Sequence, residues 1–91
     1  MSILDNVYNY YEKLVLEELA SQLGEDQKDE DFLTDTVCLA LNHLPGRYFR
    51  HGVDMAFYLS SDEYIEMKKH VEKAVKEALA YMKDPSRDKQ V

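Results

Sequence analysis

Apolar residues recur at three- to four-residue intervals along three stretches of the chain and at two-residue intervals along one. In the first stretch, about Asp5 to Leu23, Val7, Tyr11, Leu14, Val15 and Leu19 keep helical spacing, and Tyr8, Tyr10, Leu16 and Ala20 widen the stripe. Gly24 is the expected stop, because glycine accepts the left-handed backbone that ends many helices. The charged run from Glu25 to Asp31 reads as a solvated part of an acidic connector over 25–33. A second helix is predicted from Thr34 or Asp35, either of which can cap it, to His43. Val37, Cys38, Leu41 and Leu44 form its expected buried face, and Pro45-Gly46 ends it.

The period changes at Val53. Val53, Met55, Phe57 and Leu59 alternate with Asp54, Ala56 and Tyr58, which predicts a short strand over 53–59, with a helix as the alternative. A lone strand leaves backbone groups unpaired, so its partner is expected in residues 47–50 or in a second subunit. Period four returns after Ser60. Ser60 and Glu63 have capping-box spacing, and the helix they open is predicted to run over 61–82. Tyr64, Met67, Val71, Ala74, Ala78 and Tyr81 make one stripe on it; Val75, Leu79 and Met82 make a second. Two stripes suit a helix packed on its own domain and on a second copy, so a homodimer is expected through Val71, Val75, Ala78, Leu79 and Met82. The fold class is therefore mainly α: three to four helices and one short strand or extended segment in a compact single domain over 1–84, followed by a polar tail at 85–91.

Composition narrows the function. The net charge is −7, and residues 1–33 account for it, with nine acids against Lys13 and Lys28. Duplex DNA needs an accumulated basic face, so direct DNA binding is not expected. No apolar run is long enough for a membrane span, and Met1–Asn6 lacks the start of a secretion signal. Cys38 is the sole cysteine; with no disulfide available, the expected location is the cytoplasm.

No glycine-rich phosphate loop, nucleophile elbow or His-Glu-x-x-His pair is present, so no enzyme activity is expected. Cys38, in an apolar helical run, reads as a buried and inert thiol. His43, His51 and His70 lie in three separate segments without metal-ligand spacing. Chemistry concentrates instead between Arg47 and Asp54. Arg47 and Arg50 offer planar forks for phosphate or for the O6 and N7 edge of guanine, and Tyr48 can stack on a base. His51 can stack or hydrogen-bond, and Asp54 can accept from a guanine Watson–Crick edge. The competing reading is structural: Arg47 and Arg50 pair with acids of the first helix, and Asp54 pairs with an arginine.

The run Leu39-Ala40-Leu41-Asn42-His43-Leu44-Pro45-Gly46-Arg47-Tyr48 resembles the signature of the late competence development protein ComFB family. The flanking blocks Asn9–Val15, Glu17–Leu19 and Asp54–Ser60 match in order, so the likeness covers about residues 6–82. Gly46 departs from the second proline expected in many relatives, and the single Cys38 excludes the zinc-type cysteine set of others. The resemblance implies a small helical homodimer and, for cyanobacterial-type members, a receptor for cyclic di-GMP that alters partner interactions when occupied. No other cofactor is expected. The alternative is a ligand-free dimeric interaction or assembly module related to competence, with its downstream protein unidentified.

Overall fold

The computed structural model describes residues 3–26, 28–50 and 59–84. A 3-10 turn at Ile3–Asn6 leads into strand β1 (Val7–Asn9) and helix α1 (Tyr10–Leu23). Helix α2 (Glu30–Asn42), strand β2 (Tyr48–Arg50) and helix α3 (Ser61–Lys83) follow. The fold is mainly helical, with one small antiparallel sheet in which Val7 faces Arg50, Tyr8 faces Phe49 and Asn9 faces Tyr48.

The sheet moves the start of α1. Val7 and Tyr8 fit the helical stripe of a segment expected from about Asp5, but the helix begins only at Tyr10. Asn9 stops it from starting earlier. Its Oδ1 accepts from the Tyr11 amide at 3.2 Å, capping α1, and from the Arg47 amide at 3.0 Å, tying the same point to the distant loop. The Tyr10 amide then donates to the Arg47 carbonyl at 2.8 Å, extending the strand pairing by one bond. A two-stranded sheet is marginal alone. This one gains from an aromatic cluster in which Tyr8, Tyr10 and Phe49 meet at centroid separations of 6.2–6.5 Å.

Helix α2 also differs from expectation, beginning at Glu30 rather than at Thr34 or Asp35. Asp29 caps it, accepting from the Phe32 amide at 2.7 Å. Glu30 and Asp31 occupy the first turn, where the positive end of the helix dipole favours carboxylates, so part of the acidic run is helical. The other ends agree with the sequence. Gly24, at φ 57°, closes α1 by donating its amide to the Ala20 carbonyl. His43 caps the C-terminus of α2, just before Pro45. Ser60 opens α3, accepting from the Glu63 amide at 3.1 Å.

Helix α3, with 23 residues, is long enough to serve both shorter helices, which have 14 and 13. Apart from Tyr64 and Tyr81 near its ends, its two apolar stripes are covered within the chain. Val71 and Val75 have no exposed surface, and Met67, Ala74, Ala78, Leu79 and Met82 are buried with Tyr11, Leu14, Val15, Leu19 and Ala40. The residues expected to form a dimer interface are therefore core residues. The surplus apolar surface inferred for α3 is taken up by two helices of its own chain.

The face of α2 is rotated from the predicted one. Thr36 and Ala40 are its buried residues, while Cys38 is exposed and Val37, Leu41 and Leu44 are half-buried. Thr36 can be buried because its hydroxyl donates to the Phe32 carbonyl at 2.7 Å. The strand predicted over 53–59 lies, but for Leu59, outside the described residues.

Replacing Asn9 by alanine removes the acceptor of two amides at once and is expected to cost about 1–2 kcal/mol in urea denaturation. Asn9→Asp, which keeps an acceptor oxygen, should restore most of it; equal losses in both variants would show that the oxygen is not what matters.

Candidate functional site

The nominated segment is divided between two faces. Along β2, side chains alternate: Tyr48 and Arg50 are exposed, and Phe49 between them is half-buried against Tyr8 and Tyr10. Tyr48 and Arg50 line an open cavity of about 410 Å³, completed by Ile3, Asn6, Val7 and Phe49. Its volume falls within the roughly 300–1,000 Å³ of small-molecule sites. Tyr48, at 66% exposure, presents most of its ring to solvent.

Arg47 takes the other side. Its Nη2 is 2.8 Å from Glu63 Oε2 in the first turn of α3, and its guanidinium lies 5.2 Å from the centre of the Phe49 ring. The acid that pairs with it thus belongs to the last helix, not the first. The Glu63 carboxylate pairs with Arg47 while its amide donates to the Ser60 hydroxyl, the hydroxyl-to-amide half of the capping box. Both side chains are about two-fifths exposed, so the pair is worth no more than ~1 kcal/mol. Its effect is positional: it holds Arg47 away from the Tyr48–Arg50 face. The Arg47 Nε is buried and has no hydrogen-bond partner among the described residues. His51 and Asp54 lie outside the described residues.

Gly46 sets the position of Tyr48. A Cβ added at Gly46 would lie 2.5 Å from Tyr48 Cε2, so the tyrosine ring occupies the space that a side chain at 46 would need. Three other residues shape this region without having been nominated from sequence. Asn9 pins the Arg47 backbone, Glu63 holds its guanidinium, and Phe49 supports both faces. Asn9 was visible only as the first residue of a family-like block inside the expected first helix, and Glu63 only as a capping residue.

Beneath the site, Tyr10 and Tyr11 are buried. Burial raises the Tyr11 pKa above its ordinary 10.0, Arg47 pulls against this, and Glu63 adds to it. Burial likewise raises that of Tyr10, followed by the effects of Tyr64, Glu17 and Tyr8. Elsewhere, His43 and His70 come together with Lys73 and Glu77 around a cavity of about 310 Å³. The His43 Nδ1 lies 2.8 Å from the Leu39 carbonyl, so it is the ring nitrogen that donates. Among the described residues, no helix is long and apolar enough to cross a membrane.

The family model of the late competence development protein ComFB matches residues 8–85. The chain belongs to the ComFB family. The match takes in α1, α2, β2 and α3, and with them Arg47, Tyr48 and Arg50. ComFB membership links the chain to a family named for late competence development. No curated protein matches the chain, and no solved structure does.

The two raised tyrosine pKa values have a consequence for stability. The unfolded chain loses these phenolic protons near pH 10 and the folded one only above it, so the stabilisation is complete below about pH 10 and declines as pH rises further. The urea midpoint is expected to fall above about pH 10, and to fall less in a Tyr10→Phe, Tyr11→Phe double variant. An identical alkaline decline in the double variant would refute this.

Proposed function

We propose that this ComFB-family chain is a non-enzymatic receptor for cyclic di-GMP, acting as a homodimer whose binding to a partner protein changes on occupancy. The observation that carries the reading is the pairing of Tyr48 and Arg50 on one exposed face of β2, over a single cavity. Cyclic di-GMP combines two guanines with two phosphates. An exposed tyrosine ring offers a stacking surface, and an arginine fork two residues away suits a phosphate or a guanine edge. The family resemblance supplies the ligand class; the local chemistry makes it reasonable at this place.

Within this reading, Tyr48 and Arg50 make first contact. Arg47, His51 and Asp54 complete the proposed set, with Arg47 available only when Glu63 releases it. The second reading is an interaction module, without nucleotide, that serves an assembly related to competence. It is favoured by the exposed apolar Leu16 and by the apolar groove beside it. In either case a dimer must use a surface other than the two stripes of α3, which the core occupies.

Isothermal calorimetry with cyclic di-GMP tests the receptor. Arg50→Ala and Tyr48→Ala are each expected to weaken binding by roughly ten- to hundredfold, from contacts of about 1–3 kcal/mol. Helicity should be unchanged, because both side chains are exposed. Glu63→Gln frees the Arg47 guanidinium and is expected to tighten binding severalfold. No heat from the parent chain at about millimolar ligand would leave only the interaction module.

A further inference from the structure

The hairpin of α1 and α2 holds an apolar trough that the core does not fill. Its volume is about 550 Å³, and its walls come from α1, α2 and their connection. Leu16, Ala20 and Leu23 stand on one side; Leu33, Val37 and Cys38 stand on the other. These residues are open to solvent to an unusual degree for apolar positions. Leu16 is 57% exposed, Ala20 and Cys38 are exposed, and Leu23, Leu33 and Val37 are half-buried. Val37 and Cys38, two of the residues read from sequence as core, thus line an open surface.

The charge around this trough is one-sided. Residues 10–42 contain nine carboxylates and two lysines, a net of −7, which leaves nine acids and nine bases in the rest of the chain. Asp26 and Lys28 both line the trough, 3.5 Å apart, so its own lining is balanced and the acidic excess belongs to the helix surfaces around it. Helical spacing places Glu12 one turn before Leu16, and Asp31 one turn before Thr34 and two before Cys38. Lys28 offsets Asp26 and Lys13 stands 6.0 Å from the Tyr10 ring, which leaves the other eight carboxylates of residues 10–42 to set the sign of the surround.

We propose that this trough docks the apolar face of a basic amphipathic helix from a partner protein. An open channel between two helices is the shape that takes a third helix by its apolar stripe, with anchors at three- and four-residue spacing. The acidic surround complements lysines and arginines flanking such a stripe, and it speeds and orients the encounter. The same surround repels the other candidates. Nucleic acid and anionic lipid are disfavoured, and two copies laid trough to trough would bring −7 against −7. The surface is separate from the cavity over β2, so the proposal does not rest on the nucleotide reading.

The test uses the full chain and a synthetic leucine–lysine amphipathic peptide of roughly 18 residues, about five helical turns, with its leucine–glutamate counterpart as control. Fluorescence anisotropy should show saturable binding of the lysine peptide and none of the glutamate peptide. Raising salt from about 0.05 to 0.5 M should weaken binding at least tenfold, because the attraction between exposed charges is screened. Leu16→Gln, which keeps the charge and alters an exposed side chain, should weaken it about tenfold. Ile65→Gln, at a half-exposed position on α3, should leave it unchanged. Cys38 is a built-in reporter: iodoacetamide should modify it readily in the free chain and slowly with peptide bound. The proposal fails if the two peptides bind alike, or if Leu16→Gln binds like the parent. It also fails if Ile65→Gln weakens binding equally, or if Cys38 resists alkylation in the free chain because another copy covers it.

Discussion

One carboxamide oxygen decides how the chain's ends and middle meet. Asn9 Oδ1 accepts from Tyr11 and from Arg47, two amides 36 residues apart, and so joins the first turn of α1 to the loop after α2. From that point the geometry propagates. The Arg47 carbonyl receives the Tyr10 amide, β2 falls into register with β1, and the alternation along β2 sends Phe49 inward and Tyr48 and Arg50 outward. The Arg47 side chain, emerging from the pinned backbone, reaches the first turn of α3 at Glu63. Three helices are thereby held at one corner by a few polar contacts, while the apolar body of α3 holds them along their length.

What the sequence disclosed depended on range. Helix α3 was plain, because its stripes and the Ser60 cap are local signals. So were the stops at Gly24 and Pro45, which act through their own backbones. The start of α1 was not, since Val7 and Tyr8 fit a helical stripe and only the contact between Asn9 and Arg47 extends them. The start of α2 was hidden among acids that look solvated, although Asp29 has the short oxygen a cap requires. On α2, hydrophobicity pointed to Val37 and Cys38, but the core took Thr36 and Ala40. Small side chains let two helices approach closely, and that advantage does not register as hydrophobicity.

The candidate site was legible as chemistry and less so as geometry. An arginine–tyrosine–arginine grouping is visible in the sequence, but nothing local separates Arg47 from Arg50. Strand alternation and an acid 16 residues away make that division. The two stripes of α3 illustrate a related ambiguity. Apolar surface shows that something must cover it, not whether the cover is another copy or another segment of the same chain.

The close approach of Gly46 to Tyr48 makes those two positions a single steric choice. Any residue with a Cβ at 46 displaces the ring, so the side chain at 48 cannot be optimised while 46 is varied independently. A sequence library randomising both positions would sort into two alternative solutions, small at 46 with the ring folded over it, or larger at 46 with the aromatic group swung elsewhere. The shape of the exposed face of β2 is then set by a residue that lies outside the strand and contributes no side chain.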